Sequence, residues 1–252
     1  MSVHRDDIIT RIEQWLQPGL FSDYCPNGLQ VEGRESVERI VTGVTASQRF
    51  LDLALEADAD MVLVHHGYFW KGEDLRIRGM RKRRIQTLLS RDLSLAAYHL
   101  PLDAHPELGN NACLGQALDI SQARPVTDAP TELLWEGVFR EGLPADSFAE
   151  RLAYRLGQSP LHVGDGPSSI RRLAWCSGGA QGFIERAVAL GVDAYVSGEI
   201  SEQTVHIARE NGIHYFAAGH HATERLGVQA LGERLQRELE VEHLFIDDPS
   251  PA

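Results

Sequence analysis

The sequence predicts an α/β protein made of two related α/β units, with mainly parallel mixed sheets flanked by helices. Short apolar runs rich in β-branched residues alternate with segments whose apolar residues recur at helical spacing, the order that packs helices on a parallel sheet. Like residues also recur 133 positions apart on matching elements: Gln48 and Gln181, Phe50 and Phe183, Leu51 and Ile184, Asp52 and Glu185, Ala54 and Ala187, Asp60 and Asp193. Finally, 252 residues, 43% hydrophobic and 24% charged, give room for one large domain or two modest ones and exclude collagen-like and disordered chains.

A first helix follows from Ile8, Ile9, Ile12, Trp15 and Leu16, stopped by Pro18-Gly19. Strands are expected at Arg39 to Val44, Met61 to Val64 and Leu93 to Tyr98, with helices at Ser47 to Ala57, Met80 to Ser90 and Asn111 to Leu118 between and after them. Ser121 to Thr131, rich in Pro, Asp, Ala and Thr, reads as a connection. Beyond it, strands are expected at Leu133 to Phe139, Leu173 to Cys176, Ala194 to Val196, Tyr215 to Ala218 and Leu244 to Ile246. The helices among them are Ala145 to Leu156, Gln181 to Leu190, Glu202 to Glu210 and Ala222 to Glu240. Later in the chain the repeat offset shortens to 121, pairing Ala97 with Ala218, His99 with His220 and Asp103 with Glu224, as if Tyr68 to Gly79 held an insertion. The expected domains are 1–125 plus 220–252, carrying most of the candidate ligands, and 126–219.

The net charge of -12 argues against general binding of duplex nucleic acid, so an anionic substrate must meet a local positive feature such as a metal ion. The first residues, MSVHRDDIIT, lack a signal-peptide core, and no run approaches the roughly 18 apolar residues of a membrane helix, so a cytoplasmic protein is expected. Cys25, Cys113 and Cys176 are widely spaced and read as reduced, packed thiols.

Five of the eleven His stand in three places, His65-His66, His99 and His220-His221, each where a predicted strand runs out. In parallel sheets those strand ends line the ligand crevice. His99 and His220 are each followed four residues later by a carboxylate, Asp103 and Glu224. Imidazole with carboxylate suits Mn, Fe, Co, Ni or Zn. Two adjacent His can serve two ions bridged by Asp103 or Glu224 if the strand ends there, and Gly67 permits that turn. Hydrogen-bonded His at strand ends are the competing reading.

The segments GVTAS, VHHGYFWKGE, YHLPLDAHPELGNNA, WCSGGAQ, SGEISEQTVH and AGHHATER, in this order, resemble the YbgI-type family, the type 2 homologues of GTP cyclohydrolase I. The resemblance spans nearly the whole chain. It implies a homohexameric ring of two-domain α/β subunits with two divalent transition-metal ions per subunit, facing the interior. Carried over residue by residue, the ligands are His65, His66, Asp103, His220 and Glu224, with Glu224 bridging; one ion takes His66 and Asp103 and the other His65 and His220.

His99 is the candidate catalytic residue, as a proton shuttle beside the metals, with a strand-end hydrogen bond as the equal alternative. Glu199 reads as a helix cap and His206 as a surface residue, although their place in the repeat also allows both to line the cleft. His221 reads as packed, and Ser177 to Gly182 as a tight strand-to-helix turn rather than an anion cradle. Arg78, Arg81, Lys82, Arg83 and Arg84 read as a solvated helix face or subunit contact, with guidance of an anionic ligand as the sharper alternative. The function expected is a dinuclear metal-dependent hydrolase acting on a small nucleotide or phosphorylated substrate. GTP ring opening follows only from the family's name. The alternative is a non-catalytic metal-handling or regulatory protein on a ring scaffold.

Overall fold

In the computed structural model, which describes residues 2–252, the chain opens on strand β1 (Val3–His4) and helix α1 (Arg5–Leu16). Ile8, Ile12 and Leu16 form the buried stripe of α1, and Gln17 ends it in the left-handed conformation before a 3-10 turn at Pro18–Leu20. There follow β2 (Gly28–Val31), β3 (Ser36–Val37), β4 (Arg39–Thr45), α2 (Gln48–Glu56), β5 (Met61–His66), α3 (Gly79–Ser90), β6 (Ser94–Ala97) and the short α4 (Leu100–Ala104). The chain continues through α5 (Asn110–Ala117), β7 (Ser121–Pro125), β8 (Trp135–Leu143), α6 (Ala145–Leu156), β9 (Leu161–Val163) and β10 (Ile170–Trp175). It closes with α7 (Ile184–Ala189), β11 (Ala194–Ser197), α8 (Glu202–Glu210), β12 (His214–Ala217), α9 (His220–Thr223), α10 (Arg225–Leu239) and β13 (Glu242–Phe245). Among these residues no helix is long and apolar enough to cross a membrane.

Two units result. The first runs up to Leu102 and takes in Gly227–Asp248; the second comprises Asp103–Leu226 with Pro249–Ala252. In the first, five strands lie in the order β13-β4-β5-β6-β2, parallel except for β2 against β6. β4, β5 and β6 are apolar on both faces, as a sheet sandwiched between helices requires. Ser47 caps α2 by accepting a hydrogen bond from the Phe50 N–H, and a Cβ at Gly43 would collide with the Phe50 ring, so the glycine lets α2 settle onto β4.

In the second unit six strands lie in the order β7-β8-β10-β11-β12-β9, parallel over β10, β11 and β12 and antiparallel on either side. One face packs α5 and α6 around Phe148, Leu152, Trp175 and Phe216; the other packs Ala174, Tyr195 and Tyr215 beneath α7 and α8. The sequence predicts a connection at Ser121 to Thr131, but Ser121–Pro125 pairs with β8 as an edge strand. Only half-buried and exposed residues alternate along it, and Gln122 (φ 55°) breaks its register, so no apolar run announces it.

The repeat has a structural counterpart. Asp60 Oδ2 accepts the N–H groups of Glu38 and Arg39 at 2.8 and 3.0 Å, and Asp193 Oδ2 accepts those of Arg171 and Arg172, both at 2.8 Å. In each unit one carboxylate, just ahead of a strand, pins the start of the neighbouring strand. Residues 133 apart therefore perform one task twice.

A buried carboxylate in the second unit sets a pH dependence. Burial pushes the Glu132 carboxyl up, but hydrogen bonds from Arg186 (2.7 Å), the Leu134 N–H (3.0 Å) and Thr127 (3.0 Å) outweigh it and hold its pKa below the ordinary value. A depressed folded-state pKa contributes stability above the unfolded pKa of about 4.3, and that stability is lost as pH falls through the folded value. Glu132→Gln is therefore expected to cost about 1–3 kcal/mol at pH 7. The gap between variant and parent should narrow as melts are taken at decreasing pH below about 4; a gap constant with pH would contradict the assignment.

Candidate metal centre

In the first unit β5 runs one turn of the pleat further than its apolar core and ends on His65 and His66, with Thr45 of β4 opposite His66. Neighbouring strand residues ordinarily face opposite ways. Here the strand finishes, and the two imidazole rings lie 4.6 Å apart. The positive φ that turns the chain falls on Phe69, at 66°. Gly67 serves a different need: a Cβ there would meet the Ala97 side chain at 2.6 Å and collide with Gln30.

His65 is wholly buried, and its Nδ1 donates to the Tyr98 carbonyl at 3.0 Å. That bond fixes the tautomer and leaves Nε2 as the lone-pair nitrogen. His66 Nδ1 lies 3.3 Å from Thr45 Oγ1. His99, just past β6, has its ring 5.0 Å from that of His65 and 5.7 Å from that of His66. One nitrogen from each of the three can be chosen so that all lie within 4.8 Å of one another, a set able to hold a metal ion.

His99 is itself held. Its Nδ1 is 2.7 Å from Asp23 Oδ1, and its N–H donates to Asn27 Oδ1 at 2.7 Å. Asp23 also accepts from the Leu100 N–H (3.0 Å), the Tyr24 N–H (2.6 Å) and Asn27 Nδ2 (2.9 Å). Burial pushes the Asp23 carboxyl up, yet the bonds from His99 and Asn27 prevail and keep its pKa below the ordinary carboxylate value. His99 thus makes a strand-end hydrogen bond, and its ring lies against those of His65 and His66. Burial and Asp23 push the nearby Cys25 thiol up to about 12, so Cys25 is a packed neutral thiol. The three cysteines are unbridged.

In the second unit Asp103, on α4, is 6% exposed; its Oδ1 accepts from Asn110 Nδ2 (2.8 Å) and Ser177 Oγ (3.1 Å). Asn111 donates to the Asp103 carbonyl at 3.3 Å and accepts the Ser177 N–H at 2.9 Å, which fastens α4, α5 and the end of β10 together. Glu224, 2% exposed, places Oε2 3.2 Å from His220 Nε2, and one of its carboxylate oxygens lies within 4.8 Å of one of Asp103. His220 Nδ1 meets Glu199 Oε1 at 2.7 Å. Burial lowers the His220 pKa, but Glu224 and then Glu199 reverse this and raise it to about 9.

The structure corrects the reading of Glu199. Ser201, not Glu199, caps α8, while Glu199 orients His220. His206 is exposed and His221 buried, as expected. In the tight turn after β10 three N–H groups are already engaged: Ser177 to Asn111 Oδ1 (2.9 Å), Gly178 to Thr223 Oγ1 (3.0 Å) and Ala180 to the Gly178 carbonyl (3.0 Å). Gly178 (φ +65°) is required there, because a Cβ would collide with Glu224. Asp23, Asn110, Asn111 and Ser177 escape a reading by ligand type. Asn110 and Asn111 are signalled only by closeness to Asp103 in the chain, and Asp23 and Ser177 lie more than 70 positions from the residues they hold.

The donor chemistry fits a transition metal. Each candidate histidine has Nδ1 engaged by a carbonyl, a hydroxyl or a carboxylate, which is how ligand imidazoles are oriented around bound ions. Several His, Asp and Glu groups could therefore hold a metal.

Comparison with known proteins gives the same affiliation. A family model described as Duf34/NIF3 (NGG1p interacting factor 3) matches residues 3–251. The GTP cyclohydrolase 1 type 2 homolog of Pseudomonas aeruginosa is 55% identical over 253 residues, covering 100% of both chains. A solved structure described as protein ybgI, unknown function, superposes with a TM-score of 0.95 at 50% identity, covering 99% of this chain and 100% of that one. TTHA1606 from Thermus thermophilus superposes with a TM-score of 0.87 at 31% identity over 99% and 100% of the two chains. With a family model spanning nearly its full length and relatives of this identity, the chain belongs to the Duf34/NIF3 family.

Proposed function

We propose that the protein is a metal-dependent hydrolase with a dinuclear centre held by His65, His66, Asp103, His220 and Glu224, acting on a small phosphorylated or nucleotide substrate. The observations that carry this reading are, in the first unit, the anchored Nδ1 of His65 and of His66 and, in the second, the anchored Nδ1 of His220 with buried carboxylates fixed by Asn110, Ser177 and the His220 imidazole. Such anchoring is the second layer that orients imidazoles around a bound metal, and here it recurs on three histidines of one candidate set. In this reading one ion takes His66 and Asp103, the other His65 and His220, with Glu224 bridging, in a homohexameric ring.

Bound divalent ions would lower the pKa of a coordinated water and polarise a phosphoryl or carbonyl oxygen. The chain's own residues do the rest. Asp23 fixes the tautomer and aim of His99, so that Nε2 can take or deliver a proton at the reacting centre, and the Trp70 ring, centred 5.0 Å from that of His99 and 5.8 Å from that of His66, flanks both imidazoles.

The test is turnover by metal-reconstituted protein across a panel of nucleotides and phosphate esters, GTP included, beside a folded His66→Ala variant. Loss of a ligand should reduce turnover by at least about 100-fold. Exchangeable metal with no turnover on any panel member would overturn the hydrolase reading and favour metal handling.

A further inference from the structure

We propose that the second unit carries a binding cleft for a small oligophosphate-bearing molecule, formed on the outward side of β7, β8 and β10 and separate from the metal ligands. The cleft measures about 970 Å³, at the upper end of the range for small-molecule sites, with Ile120, Val138 and Phe139 in its lining and Arg140, Arg171 and Arg172 around it. It exists because β8 alternates: Trp135, Gly137 and Phe139 point into the core, whereas Glu136, Val138 and Arg140 come outward beside Arg172 of β10.

The charges around it are unanswered. The one acid in the lining, Asp193, is occupied with the backbone N–H groups of Arg171 and Arg172. Glu136 is engaged by Arg124 at 2.7 Å and reaches Arg172 only at 3.9 Å. Among the described residues no carboxylate pairs with the Arg140 or Arg171 guanidinium. In a chain of net charge -12, guanidinium groups gathered without acids are the exception.

The duplicated unit supplies the comparison. Its corresponding cleft, about 770 Å³, is lined by Glu38, Arg39 and Asp60, the counterparts of Arg171, Arg172 and Asp193 at the same offset. There Arg39 is clamped by Glu242 at 2.6 and 2.8 Å, and Arg34 by Asp60 at 2.7 Å. The first copy pairs Arg34 and Arg39 with acids. The second replaces Glu38 by Arg171, adds Arg140, and leaves the positive charge for a ligand. Guanidinium forks match phosphate oxygens in bidentate geometry, and the outward Val138 side chain offers an apolar surface to the organic part of such a molecule.

Calorimetric titration with inorganic triphosphate and with ATP tests this, using the wild type, His65→Ala and the double variant Arg140→Ala/Arg171→Ala. Both arginines are exposed, so their loss leaves the fold intact, which circular dichroism checks. Wild type and His65→Ala should bind both probes, more weakly as salt rises, and the double variant at least roughly tenfold more weakly, with partial recovery in Arg140→Lys/Arg171→Lys. Tighter binding of ATP than of triphosphate would support the apolar lining as part of the site. Equal affinity in the double variant, loss of binding in His65→Ala, or binding of polynucleotides alone would each overturn the proposal. So would absence of binding by all forms, as when a second copy of the chain covers the cleft. Because the metal centre is itself proposed to take nucleotides, the deciding comparison is made in metal-free His65→Ala protein with and without Arg140→Ala/Arg171→Ala, where a difference reports this cleft alone.

Discussion

Protein purified without a tag is expected to carry about two transition-metal ions per chain, and replacing His65 or Glu224 by alanine is expected to remove most of them. The two variants probe different parts of the proposed centre. His65 is wholly buried with Nδ1 committed to the Tyr98 carbonyl, so its removal deletes one nitrogen ligand and also strands that carbonyl, which makes the check of fold part of the measurement. Glu224 is the proposed bridge, so Glu224→Ala should weaken both ions together. Because a change in the residues that merely orient ligands already lowers metal affinity by about 10–100-fold, loss of a ligand itself should exceed that range. Plasma mass spectrometry on variants of verified mass and fold reads the stoichiometry directly. No metal in the wild type, even after reconstitution, would end the hydrolase and metal-handling readings alike.

Trp175→Ala is expected to destabilise the second unit by about 3–5 kcal/mol. Trp175 is fully buried at the end of β10; its Nε1 donates to the Asn111 carbonyl at 2.9 Å, and its ring lies 6.1 Å from that of Trp135. Truncation loses the transfer energy of the indole, leaves a cavity and strands the Asn111 carbonyl. Calorimetric melting of the whole chain should show a transition displaced to lower temperature, with Trp175→Phe falling between variant and wild type. A loss below about 1 kcal/mol would mean that this cluster does not hold the unit together. Asn111 also fastens Asp103 and Ser177, so the same variant should lower metal occupancy, a coupling that a purely local cavity would not produce.

The sheets and the ligand types were legible because they rest on local signals. Continuous apolar runs mark β4, β5 and β6, and helical spacing marks α1, α2 and α6. β7 escaped because an edge strand needs no apolar run, and β9 because it has only three residues. His65, His66, Asp103, His220 and Glu224 stand out through residue type and position at strand ends or helix starts. The residues that hold them do not: Asp23 is 76 positions from His99, and Ser177 is 74 from Asp103.

By itself the sequence determined the α/β class, the duplication and its register, the family, and which side chains could face a metal. Tertiary structure alone decided which histidine nitrogen each neighbour engages, that Glu199 orients His220 rather than capping a helix, and that arginines answered by acids in one copy stand open in the other. The reason is range. Periodicity and composition report forces acting between residues a few positions apart, whereas tautomers, anchored carboxylates and uncompensated charge depend on contacts that exist only after distant strands have been laid side by side.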